Sequence, residues 1–227
     1  MSVEQQIAWL TPYVSQRRLE RMQQVLTQRT RYITCVVEDI YQPHNASAVL
    51  RSADAFGVQD VHIIENRNEY SVNPKVELGT AQWLTLHRYR RGSEQDEATN
   101  TLECLRGLQA QGYRVVATSP HHGSIELDHV PLEPGPIAVL FGTELEGLSQ
   151  TALSAADLCL QIPMVGFVES LNISVSAALV LRNLSTRLRA GAIAWQLDAD
   201  EQQTILAAWL RNSVKHSDRI LARAASV

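Results

Sequence analysis

The chain has 227 residues, 45% hydrophobic and 19% charged, and a formal net charge of −4 at pH 7, enough to bury one full core with small additions. No apolar run approaches the roughly 20 residues of a membrane span, and the N-terminus Met-Ser-Val-Glu-Gln-Gln lacks the basic and apolar regions of a signal peptide, so a cytoplasmic protein without a membrane partner is expected. The acidic balance excludes a surface coated in positive charge, the mark of a nonspecific nucleic-acid binder, and any RNA contact has to be local.

Residues 15–32 carry Leu19, Met22, Val25 and Leu26 at helical spacing, with Arg17, Arg18, Arg21, Arg29 and Arg31 facing elsewhere and only Glu20 against them. This basic face is either a solvated surface or an RNA contact. From Tyr32 the pattern alternates, and residues 33–38 read as the first buried strand. Gln42-Pro43-His44-Asn45 then turns into a helix with Ala48, Val49, Ala53 and Phe56 inward, closed by Gly57. Residues 60–65 form a second strand, which completes a β-α-β unit and implies a parallel sheet. The segment 66–82 is polar and turn-rich. Residues 83–89 alternate as a short edge-like strand, and Arg88, Arg90 and Arg91 make a second basic cluster.

A helix is expected from about Asp96 to Gln111, with Ala98, Leu102, Leu105 and Leu108 on one face and Gly112 as its stop. Strands follow at 113–118 and 137–141, separated by a loop that holds His121, His122 and His129. No Cys or carboxylate spacing near those histidines fits a metal site, so no metal is expected. Cys35, Cys104 and Cys159 are odd in number and widely spaced, which argues for reduced thiols, at least two of them buried. Ser149 caps a short helix to about Ala156, and residues 158–162 alternate as a strand that Pro163 and Gly166 end. Ser170 or Asn172 caps the next helix, which starts near Ile173, presents Ser174, Ala177, Ala178 and Leu181 on one face, and closes at Gly191. The loop 162–172 is either a ligand cradle or an ordinary buried crossover. Asp198 or Asp200 caps a C-terminal helix that runs on or kinks toward Leu221, and Arg211, Lys215, Arg219 and Arg223, four apart, line up as one basic stripe.

Strands alternating with helices give an α/β sandwich, and such folds bind nucleotides outside the carboxyl ends of the strands. No two glycines stand two residues apart, which removes G-x-G-x-x-G, and the sequence holds no Walker A loop. A nucleotide-like cofactor would sit on the loops 118–122, 142–147 and 162–172, at three strand ends.

Three stretches carry a family resemblance. The segment from Asn45 to Gly57, Asn-Ala-Ser-Ala-Val-Leu-Arg-Ser-Ala-Asp-Ala-Phe-Gly, the segment from Leu140 to Leu148, Leu-Phe-Gly-Thr-Glu-Leu-Glu-Gly-Leu, and the segment 162–178 resemble, in order, motifs 1, 2 and 3 of the SpoU/TrmH family of SPOUT-class RNA ribose 2′-O-methyltransferases. The resemblance implies a parallel-sheet, three-layer α/β sandwich with a C-terminal trefoil knot, a bent S-adenosylmethionine held mainly by backbone groups, and a homodimer whose sites borrow residues from the neighbouring subunit. By correspondence Thr118, Gly142, Ile162 and Leu171 contact the cofactor. Arg51 acts on the ribose hydroxyl, as base or as stabiliser of the alkoxide, and Asn45 orients that hydroxyl. Glu144, Ser170 and Asn172 fill the remaining polar positions, and Glu146 reads as solvent-facing. Only about 32 residues precede the first strand, too few for the separate substrate domain common among relatives that act on ribosomal RNA. The reading is therefore a tRNA enzyme of the branch that methylates guanosine 18 in the D-loop, with another tRNA or rRNA nucleotide, or a non-catalytic RNA binder, as the alternative. Residues 1–32 and 191–227 would be helical extensions of a domain at 33–190, with Arg17, Arg18, Arg21, Arg29, Arg211, Lys215 and Arg219 on RNA.

Overall fold

A computed structural model describes residues 1–71, 73, 75, 78–90, 98–119 and 123–225. Arg91, Asp96, His121 and His122 lie outside the described residues. The strands are β1 (Ile33–Glu38), β2 (Asp60–Ile64), β3 (Thr85–Tyr89), β4 (Arg114–Thr118), β5 (Ile125–Glu126), β6 (Ile137–Phe141) and β7 (Leu158–Gln161). The helices are α1 (Val3–Leu10), α2 (Gln16–Leu26), α3 (Pro43–Ala55), α4 (Ala98–Ala110), α5 (Gln150–Ala155), α6 (Ile173–Ala190), α7 (Ala199–Ser213) and α8 (Ser217–Ala224). The chain divides into two compact units, Arg31–Trp195 and the pairing of Met1–Thr30 with Gln196–Val227.

The unit Arg31–Trp195 is built on one parallel sheet of order β3-β2-β1-β6-β4-β7-β5. β1 pairs with β2 on one side, Cys35 opposite Val61, and with β6 on the other, Cys35 opposite Val139. Both faces are covered, so β1 and β6 are buried along their whole length, and β6 reads as a continuous apolar run. Ile33, Cys35 and Val37 join one core cluster with Val49, Ala53, Ala177 and Leu181, from α3 and α6. Val36 joins the other, with Leu105 and Leu108 of α4 and Ala152 of α5. β3 is an edge strand, as the alternating pattern implied, but starts at Thr85 because residues 80–83 form a 3₁₀ turn. β5, two residues long, escapes the sequence reading. Gly57 follows α3 at φ 81, the left-handed position its C-cap requires. At the start of α6 it is Asn172, and not Ser170, whose side chain accepts the Ser174 N–H.

Polar side chains cluster toward the β3 edge. Arg31 Nε donates to Asp60 Oδ2 at 2.8 Å, His87 Nε2 lies 2.8 Å from Asp60 Oδ1, the His62 and His87 rings stack at 4.5 Å, and His62 Nδ1 lies 2.9 Å from the Tyr89 hydroxyl. Burial pushes the Asp60 carboxyl up, but His87 and Arg31 more than offset this and hold it below its usual range. Burial, helped by His87, drives His62 down to about 4. All three cysteines are free, and burial lifts the Cys35 and Cys104 thiols to about 12.

In the terminal unit α1 packs on α7 and α8, and α2 packs on α7. Capping boxes open α1 (Ser2 with Gln5) and α7 (Asp198 with Glu201). Two expectations are corrected here. α2 ends at Leu26, so Arg29 leaves the helical register; it is 1% exposed, its guanidinium 5.4 Å from the Trp209 ring centroid, and it is a core residue rather than a surface for RNA. The C-terminal helix does not continue either: Val214 is extended and His216 is left-handed at φ 61, so Lys215 lies between α7 and α8 and the basic residues form no single helical stripe. Arg211 instead donates to Asp218 at 2.8 Å. Arg17, Arg18, Arg21, Arg211, Lys215 and Arg219 are all exposed.

Candidate active site

In a parallel sheet every strand points the same way, so the loops leaving the carboxyl ends share one edge. Two clefts open on that edge. The first, with a cavity volume of about 330 Å³, is lined by Thr118 and Ser119 at the end of β4, by Gly142 to Gly147 after β6, and by Ile162, Met164 and Glu169 to Leu171 after β7. The four positions read from sequence as cofactor contacts, Thr118, Gly142, Ile162 and Leu171, all line it, together with Glu144 and Ser170. Thr118 Oγ1 donates to the Leu140 carbonyl at 2.7 Å, which ties the ends of β4 and β6 together.

The β6 loop closes on itself. The Thr143 and Gly147 backbones exchange hydrogen bonds of 2.9 and 3.1 Å, and a Cβ on Gly142 would stand 2.2 Å from the Gly147 carbonyl, so only glycine fits there. Glu38, buried at the end of β1, anchors the far side of this loop by accepting from the Ser149 N–H and hydroxyl at 2.8 Å each and from the Thr101 hydroxyl at 2.7 Å.

The second cleft, also about 330 Å³, is lined by residues 40–42, Asn45, Arg67 and Asn68, and shares Thr143 to Glu146 and Ile173 with the first. Asn172 bridges the motifs: its Nδ2 donates to Asn45 Oδ1 at 3.3 Å and to Glu144 Oε1, while its Oδ1 caps α6 by accepting the Ser174 N–H at 2.9 Å. One amide thus joins α3, the β6 loop and α6. Asn45 is buried and its Nδ2 donates to Gln42 at 3.1 Å. Arg51, further along α3, is exposed and lines neither cleft. Glu146 is exposed, as read from sequence, and it also lines both clefts and accepts from Arg67 at 2.5 Å. Tyr41, Arg67 and Asn68 went unread as site residues, because only the fold brings the segments after β1 and β2 to the β6 loop.

Among the described lining of the first cleft are three carboxylates, Glu144, Glu146 and Glu169, and no lysine or arginine. That donor set disfavours a phosphorylated nucleotide and suits a cation. Among the described residues no group of histidine, cysteine and carboxylate side chains is placed to hold a metal, and no helix is long and apolar enough to cross a membrane.

The carboxyl edge of this parallel-sheet α/β fold thus carries two joined clefts bridged by Asn45, Asn172 and Glu144. The chain belongs to the SpoU rRNA Methylase family, which it matches over residues 32–182. It is 39% identical over 214 residues to a tRNA (guanosine(18)-2′-O)-methyltransferase of Borreliella burgdorferi, covering 94% of each chain. To the Thermus thermophilus protein of that name it is 34% identical over 199 residues, 87% of this chain and 97% of the other. Among solved structures it is similar to the Aquifex aeolicus TrmH/SpoU tRNA modifying enzyme, with a TM-score of 0.76 at 26% identity over 88% of this chain and 98% of that one. The AdoMet complex of AviRb from Streptomyces viridochromogenes, at 20% identity and a TM-score of 0.56, shares the fold.

Proposed function

We propose that this chain methylates the ribose 2′-hydroxyl of guanosine 18 in tRNA, with S-adenosylmethionine as methyl donor. The observation that carries the reading is the pair of adjoining clefts joined by Asn45, Asn172 and Glu144, in a chain that aligns over 94% of its length with an enzyme named for that reaction. When bound, the donor would supply an electrophilic methyl carbon on a cationic sulfur that leaves as a neutral thioether, with the hydroxyl proton passing to solvent. The carboxylates of the first cleft suit that cation, and Thr118, Gly142, Ile162 and Leu171 would hold the molecule, with Ser170 beside them. Asn45 presents an amide to the acceptor hydroxyl and Asn172 fixes its orientation, so that much of the catalysis is positioning. Arg51 serves as the cation that stabilises oxygen as its proton leaves.

That Arg51 lines neither cleft of its own chain supports a homodimer in which it serves the reacting oxygen of a second copy, and exposed Val175 and Leu179 on α6 offer that copy apolar surface to cover. The exposed cations of the terminal unit, Arg17, Arg18, Arg21, Arg211, Lys215 and Arg219, contact tRNA phosphates. Replacing Arg17 and Arg21 by alanine should weaken tRNA binding and make the slope of log K against log salt shallower by about 1 to 2; an unaltered slope would place the RNA elsewhere.

The deciding assay incubates purified chain with methyl-labelled S-adenosylmethionine and an unmodified tRNA transcript, then digests the RNA to nucleosides. Label in 2′-O-methylguanosine, absent from a transcript with adenosine at position 18, is expected. A fully folded protein that leaves the tRNA unlabelled removes the proposal.

A further inference from the structure

The second cleft lies where the strand order reverses. From β1 the sheet grows toward β2 and β3, and from β6 toward β4, β7 and β5. Loops leaving two such neighbours diverge, and in open α/β sheets the crevice between them takes the ligand. Tyr41 and Asn45 come from the β1 side, Arg67 and Asn68 from the end of β2, and Glu146 from the β6 loop. Since Glu144 and Glu146 also line the first cleft, a group in this crevice borders one held there.

Arg67 is placed by a buried acid. Asp39, 4% exposed, stands at φ 53, a left-handed conformation uncommon outside glycine. Its Oδ1 accepts three successive backbone N–H groups, Asn66, Arg67 and Asn68, at 2.8, 2.9 and 3.3 Å, and its carbonyl accepts from Asn68 Nδ2 at 3.1 Å. The Arg67 guanidinium then stands 3.7 Å from Asp39 Oδ2 and donates to Glu146 Oε2 at 2.5 Å. A strained, buried residue that spends its hydrogen bonds on aiming one arginine at a crevice marks a recognition element.

Resting on the methyl-transfer reading above, we propose that Arg67 and Glu146 read the guanine base of the acceptor nucleotide in this cleft. Guanine offers two acceptors, O6 and N7, on one edge and donors at N1 and the 2-amine on the next. A guanidinium takes the first edge in bidentate fashion, and a carboxylate takes the second. Adenine turns an amine donor toward the guanidinium, which keeps only N7 as a partner, and it has neither an N1 proton nor a 2-amine for the carboxylate, which loses both. The arginine and carboxylate, already side by side, match the order of the two edges. Opening their exposed ion pair to admit the base costs little. Tyr41, 73% exposed at the rim, supplies a ring face for an unstacked base.

A crossed substrate set tests this. tRNA transcripts carry guanosine, inosine (no 2-amine) or 7-deazaguanosine (no N7) at the methylated position, and kcat/KM is measured for the unaltered chain, Arg67→Leu and Glu146→Leu. The unaltered chain should prefer guanosine over both analogues. Arg67→Leu should lose about 10- to 100-fold on guanosine and lose the preference over 7-deazaguanosine while keeping that over inosine; Glu146→Leu should show the reverse. A circular-dichroism spectrum and a melting temperature matching the parent's in both variants report intact folding. If both variants keep both preferences, the assignment is wrong while the activity stands. If the unaltered chain methylates none of the transcripts, the activity itself fails and takes the assignment with it.

Discussion

Asp39 turns the chain out of β1 in a conformation that asparagine tolerates and alanine does not, and its carboxylate serves three amides at once. Asp39→Asn keeps the accepting oxygen and the backbone preference, so it should cost less than about 1 kcal/mol of stability. Asp39→Ala removes both and should cost about 2–4 kcal/mol. If Asp39 positions Arg67, the asparagine variant should also raise KM for tRNA with little change in kcat; equal KM values for parent and variant would leave Asp39 a purely structural role. At this scale the sequence shows side-chain chemistry but not pairing. Glu146 and Arg67 are 79 positions apart, and their ion pair exists only because the loops after β2 and β6 leave the same edge of the sheet. Arg29 looked like any other surface arginine until α2 stopped at Leu26 and turned it into the core.

The elements themselves were far more legible, and the reason is burial on both faces. β6 is an unbroken apolar run and β1 is apolar but for Thr34 and Glu38, α3 and α6 carry small residues where they pack together, and Ser149, Asn172 and Asp198 stand where helices must begin. β5 could not be read, because two residues, Ile125 and Glu126, carry no period. The β3 edge has a consequence for stability. His62 is neutral in the fold, its pKa held near 4 against 6.5 when free, chiefly by burial. The unfolded chain therefore takes up the proton first: the stabilisation is complete above about pH 6.5 and is lost as pH falls toward 4, on the order of 3 kcal/mol. His62→Gln should lose less stability than the parent between pH 7 and 4.5 in urea unfolding, and parallel losses would point to other groups.

For the whole molecule, the separation of Arg51 from both clefts of its own chain makes a complementation experiment decisive. Arg51→Ala and Asn172→Ala chains should each be inactive alone. In the proposed homodimer, mixing them equally with exchange should give mixed dimers in which one site has an intact amide from its own chain and an intact guanidinium from its partner. About a quarter of the parent activity should return, and no recovery despite confirmed exchange would show that each site uses its own Arg51.

The terminal helices carry a different implication. Leu10, Met22 and Leu26 are buried in a unit whose other half, with Ile205, Trp209 and Leu210, comes last in the sequence. A ribosome releases the first helices long before the last, so during synthesis their apolar stripe stays uncovered while the parallel-sheet unit, complete at Trp195, is able to fold between them. A premature stop just after Trp195 would leave that sheet whole and strand the opening helices without the surface they were made to meet.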